Sequence, residues 1–179
     1  MELSIVLVVI GLLLGSTLKG HVLVEEARIR RIAMETVALA EALRSYRALY
    51  HAWPGDDSQA ASRWSGSRNG NGNGMLEGNG LPERPEGESG VLWSHLRHAG
   101  LVTGEASDPT PPRHSLGGHM GVGQGVLGVP GLAICLEELP AVYATGYDRQ
   151  FDDGQWDGGR IRSSGPTTAG WIGTVCSQL

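Results

Sequence analysis

The residues from Leu3 to Leu18 read LSIVLVVIGLLLGSTL, an apolar run interrupted only by Gly11, Gly15 and small hydroxyl side chains. Such a run is insoluble when exposed, because removing apolar area from water is the main favourable term in folding and association. A membrane-spanning helix needs about 20 predominantly apolar residues. This run is shorter, but its helix can continue through Val22 to Val24, with Lys19 placed to snorkel toward lipid headgroups. A secretory signal peptide opens on basic residues and closes on a small-residue cleavage site. Here the residue ahead of the run is the acidic Glu2, which argues against that alternative.

Past the run the pattern changes. Val22, Ile29, Ile32, Leu39, Leu43, Tyr46 and Tyr50 recur at steps of three, four or seven, with Glu25, Arg28, Arg31, Glu35 and Arg47 on the other faces. No Pro or Gly lies between His21 and Ala52, so both segments can form one helix that stops near Trp53-Pro54-Gly55. At 1.5 Å per residue it would be roughly 75 Å long. Its first half, greasy all round, needs lipid or other copies of itself, and its second half packs one stripe on a globular head. The chain then divides into residues 1–24 (apolar half), 25–52 (amphipathic half) and 53–179 (head).

The segment ELSIVLVVIGLLLG, an acidic residue directly followed by an apolar helix, resembles the N-terminal segment of type IV pilins and type II secretion pseudopilins. The resemblance implies an α+β fold of the pilin type, a long N-terminal helix packed on a small antiparallel sheet with short inserted helices and long loops. It implies that Glu2 pairs with the N-terminal amine of a neighbouring subunit as helices bundle, since a carboxylate in an apolar bundle is costly unless paired. It also implies a bacterial inner-membrane location with the head in the periplasm, a cell-surface filament after assembly, and as partners other copies or other pilins and the pilus or secretion assembly machinery. In that family the precursor carries a short basic leader ending in Gly. The chain as it stands opens Met1-Glu2, so the leader lies upstream of this start or this copy is not processed.

In the head, WPGDD is a helix stop with Asp56 or Asp57 as a cap for a short helix through Ala60 to Trp64. It resembles the segment after the long helix in one group of pilin-like proteins. Residues 65–90, rich in Gly, Asn, Ser and Pro, read as a long surface loop. Residues 90–100 read as a short helix closed by Gly100, with Leu92, Trp93 and Leu96 buried. Strands are expected over 121–129, 131–139, 158–163 and 171–176, and a helix with Pro140 in its first position over 140–148. The 28 glycines predict a loop-rich domain with a modest core.

Candidate chemistry is confined to a few clusters. Asn69, Asn71 and Asn73 alternate with glycines and precede Glu77, as in calcium loops, but three neutral amides compensate a divalent charge poorly, and a plain Asn/Gly turn is the rival reading. Asp152, Asp153 and Asp157 are a second calcium candidate, in a subgroup-like Asp-Asp-Gly turn; some pseudopilins order a loop near the C-terminus with calcium, and a tight acidic turn is the alternative. His95 and His98, with His114 or His119, lack a neighbouring Cys or carboxylate at ligand spacing. Cys135 and Cys176 carry no zinc spacing, and an exported head favours their pairing in a disulfide over two buried thiols. No nucleophile elbow or other organised catalytic motif is present, so the expectation is a structural protein without a committed cofactor.

The net charge of -5 and the absence of a Lys/Arg-rich run leave nucleic-acid binding unsupported. The readings that compete are a filament subunit, a secretion pseudopilin, an ordinary single-pass anchor, and a tip module binding a surface or DNA through Arg63, Arg68, Arg84 and Arg113.

Overall fold

The computed structural model describes residues 2–78, 80 and 87–179, with the side chains of 2–5 and 11–19 outside that description. A single helix, α1, runs Glu2–Tyr50. His51 still donates to the Arg47 carbonyl but takes a left-handed backbone, φ 57, and this turns the chain into Trp53-Pro54-Gly55. The stop therefore falls where Pro and Gly place it, two residues before the expected Ala52 end.

After α1 come α2 (Ala60–Arg63), α3 (Gly87–His98), β1 (Met120–Gln124), β2 (Leu132–Pro140), α4 (Ala141–Phe151), β3 (Ile161–Ser163) and β4 (Ile172–Gln178). The strands form one antiparallel sheet in the order β1-β2-β4-β3. The fold is α+β, a long N-terminal helix on a small four-stranded sheet.

The stripe Ile29, Ile32, Leu39, Leu43 and Tyr46 of α1 packs into one core with Leu92, Trp93 and Leu96 of α3, Ile134, Leu136 and Leu139 of β2, and Tyr143 and Tyr147 of α4. Val22 is exposed instead, and Tyr50 is half-buried. Core positions in β2 step by two from Ile134 to Leu136 and then by three to Leu139. A strand with period two would turn Leu139 to the opposite face. The pairing register shifts between Leu136 and Leu139, and Glu138 takes φ 54, so a bulge absorbs the extra residue and returns Leu139 to the core. Gly146 sits where α4 crosses α1: a Cβ there would run into the Ile29 side chain.

Several boundaries differ from expectation. The surface loop ends at Gly87 rather than Gly90, since α3 begins a turn earlier. The first strand stops at Gln124, and residues 126–128 form a 3-10 turn. Pro140 caps α4 from outside rather than occupying its first turn. Gln59 stands at the N-cap of α2; Asp57, two residues earlier, accepts the Gln59 amide at 2.8 Å at the entry to the helix, while Asp56 turns to Asn73.

Candidate functional site

Two features of the chain stand apart from the hydrophobic core: the outer half of α1, and the polar loop that follows α2.

Along α1, Val6, Leu7, Val8, Val9 and Ile10 are consecutive and between 47% and 70% exposed. Successive residues of an α-helix are set about 100° apart, so five of them circle the axis. The apolar surface is therefore continuous around the helix there, and Val22, Leu23 and Val24 are likewise more than half exposed. The side chain of Glu2, the residue assigned to pairing in assembly, lies outside the described residues. Among the described residues no helix is long and apolar enough to cross a membrane.

The polar loop is tied down from inside the head. Asp56 is buried, and its carboxylate accepts the backbone N–H of Asn73 (2.9 Å) and of Gly74 (2.8 Å). Glu88, buried at the start of α3, accepts the N–H groups of Asn71 (2.8 Å) and Glu77 (3.0 Å). The backbone carbonyls of Asp57 and Asp56 take Gly70 and Gly72, at 2.9 Å each. A stretch with no regular ladder still has to satisfy its amides, and here buried carboxylates do it. The segment is thus a surface loop, as expected, but one fastened to the head as a lobe.

This geometry separates the first calcium candidates. Asn69 turns away to accept the Ala61 amide, whereas the side-chain NH2 groups of Asn71 and Asn73 donate to Glu77 at 3.1 and 2.9 Å. Their carbonyl oxygens accept the amides of Asn73 and Met75, as in Asx turns. Glu77 is thereby held by hydrogen-bond donors rather than set beside free acceptors.

In the second cluster Asp148, Asp152 and Asp153 bring carboxylate oxygens within 4.8 Å of one another, and Asp157 is not among them. Asp148, on α4, was not among the expected residues; burial pushes its carboxyl above the usual range, against the Gly154 amide, which lowers it. Asp152 accepts the Arg160 and Ile161 amides and Asp153 that of Gln155, so these groups close the turn from α4 into β3.

The histidines do not converge. His95, fully buried on α3, accepts the Gly55 amide at Nδ1 (2.9 Å) and donates from Nε2 to the Arg68 carbonyl (2.7 Å). His114 likewise spends Nδ1 on the Leu116 amide and Nε2 on the Glu137 carbonyl, and His98 stacks on Trp64. The tip-module arginines are also partly engaged. Arg63 pairs with Asp57, which also accepts the Tyr46 hydroxyl at 2.7 Å, and lies over the rings of Tyr50 and Trp64. Arg113 donates to the Gly117 carbonyl, and Arg84 lies outside the described residues.

Cys135 and Cys176 are direct cross-strand partners in β2 and β4 and form a disulfide. They sit in a second, small cluster with Val129 and Ala133, apart from the main core. Reading the residues in order misses Asp56 and Glu88 as anchors. The available signal was a glycine-rich stretch whose many amides need acceptors from elsewhere. Comparison with family models, curated proteins and solved structures returns no match for this chain.

Proposed function

We propose that the chain is a structural, non-catalytic subunit of a type IV pilus or pilus-like filament, polymerising through the outer half of α1. The observation that carries this reading is the unbroken ring of exposed apolar side chains from Val6 to Ile10 on a helix whose inner half is anchored in the head. A globular partner docking on one side would leave the rest of that circumference wet. Lipid before assembly and neighbouring copies of the same helix after it cover every side. Glu2, at the outer end, neutralises the N-terminal amine of an adjacent copy. A secretion pseudopilin shares the same helix logic and belongs to the same class. The tip-binding alternative is less favoured, because Arg63 is already committed to Asp57 and two aromatic rings.

The test is incorporation into filaments sheared from cells. Val8 is 62% exposed and touches no head core, so Val8→Lys should leave the melting of the head unchanged and remove the chain from the sheared fraction. Glu2→Ala should lower incorporation while leaving the head intact. Filaments that carry V8K at the level of the unaltered chain would sink the reading.

A further inference from the structure

Three Asn-Gly steps follow one another, Asn69-Gly70, Asn71-Gly72 and Asn73-Gly74. Asn-Gly is the dipeptide most prone to spontaneous deamidation, because Gly leaves the following amide nitrogen unhindered. That nitrogen attacks Cγ of the Asn side chain. The N–Cγ bond forms, the Cγ–Nδ2 bond breaks, and ammonia leaves with the proton from the backbone nitrogen. Water then opens the resulting succinimide at either carbonyl to give Asp or isoAsp. One neutral amide and one water become one carboxylate and one ammonium ion.

In the folded head all three attacking nitrogens are occupied. Gly70 N–H donates to the Asp57 carbonyl, Gly72 N–H to the Asp56 carbonyl, and Gly74 N–H to the Asp56 carboxylate, at 2.9, 2.9 and 2.8 Å. The three Asn side chains are also held in place, since their carbonyl oxygens accept the amides of Ala61, Asn73 and Met75. We propose that this lobe is a latent deamidation site kept shut by the Asp56-Asp57 segment, with Asn73 the position gated by a side chain, the buried Asp56 carboxylate.

Opening the site has a structural consequence. Conversion of Asn73 removes its NH2 bond to Glu77 and sets two carboxylates against each other. The lobe loosens, and Asn71, which leans on the same Glu77, is exposed next. The modification is therefore an irreversible record that the head has once opened.

The experiment follows acid and isoAsp formation at each Asn by peptide mass spectrometry, in the full chain at mildly alkaline pH. Chain unfolded in urea sets the upper rate. All three sites should be slow when folded and fast in urea; a folded site reacting at the unfolded rate would overturn the protection. Asp56→Asn should accelerate Asn73 selectively by about tenfold, the order of the difference between a charge-assisted hydrogen bond and the neutral one that the amide oxygen can still accept. An unchanged Asn73 rate in folded D56N would overturn the gating role. Should D56N fail to fold, hydrogen exchange of the unaltered chain decides: the Gly70, Gly72 and Gly74 amides must be protected, and a freely exchanging Gly74 refutes the gate.

Discussion

His95 has both ring nitrogens fixed by backbone groups, and a donor at Gly55 means that Nδ1 must stay unprotonated. Burial, the largest influence on it, lowers its pKa, and the neighbouring His98 and Arg63 push the same way, while the Arg68 carbonyl and Glu88 oppose them. Because the folded pKa is depressed, the unfolded chain binds more protons below the ordinary histidine value of about 6.5, so the stability from the neutral ring is full above that pH and is lost as pH falls below it. Melting temperatures across pH 5 to 8, a range bracketing the ordinary value of about 6.5, should therefore decline on the acid side. His95→Gln should flatten that decline and cost about 1–3 kcal/mol by leaving the Gly55 amide without its acceptor. An equally steep acid limb in H95Q would refute the assignment. Asp148 acts with the opposite sign: burial raises its carboxyl pKa above the ordinary value of about 3.9, so the stability it contributes is present below that pH and is lost as pH climbs through the folded value. None of this was legible in the residue order, where His95 is one histidine among six. Its tautomer depends on Gly55 and Arg68, partners 40 and 27 positions away.

At the scale of elements, what could be read locally was read well. The stripe from Ile29 to Tyr46, the helix face Leu92-Trp93-Leu96 and the Pro54-Gly55 stop rest on periodicity and backbone sterics, and the structure keeps them. The bulge in β2 was not legible, since it exists to reconcile a three-residue step with a partner strand. That 69–77 is a surface loop was legible; that it is fastened was not, because its order comes from Asp56 and Glu88, which close it from both sides. The close approach at Gly70 tests this. A Cβ at Gly70 would meet the Gly55 carbonyl and the Asp56 backbone, atoms that cannot swing aside as a side-chain end can. Gly70→Ala should destabilise the head by about 1–3 kcal/mol in thermal melts. A melting temperature within error of the unaltered chain would show that the lobe is not fastened there.

For the whole molecule, the disulfide and the two-part helix define what is held and what is left open. Cys135 and Cys176 are separated by 41 positions, a loop whose closure is worth about 4 kcal/mol in the chain-entropy model. Their place in a satellite cluster leaves the main core intact without them. Reduction should therefore lower the melting temperature of the head while preserving one cooperative transition. A reduced chain that melts without cooperativity would assign the bridge a role in forming the sheet. The order of residues alone settled that one long helix opens the chain and that strands and short helices follow it, because helix periodicity, apolar content and Pro/Gly stops act within a few neighbours along the chain. The pairing of β2 with β4 that brings the cysteines together, the bulge that rescues Leu139, and the buried carboxylates that turn an Asn-Gly repeat into a locked lobe were decided by folding in three dimensions. Each of them joins groups far apart in sequence, and an unpaired polar group, an unclosed register or a clash is felt only once those groups share one interior.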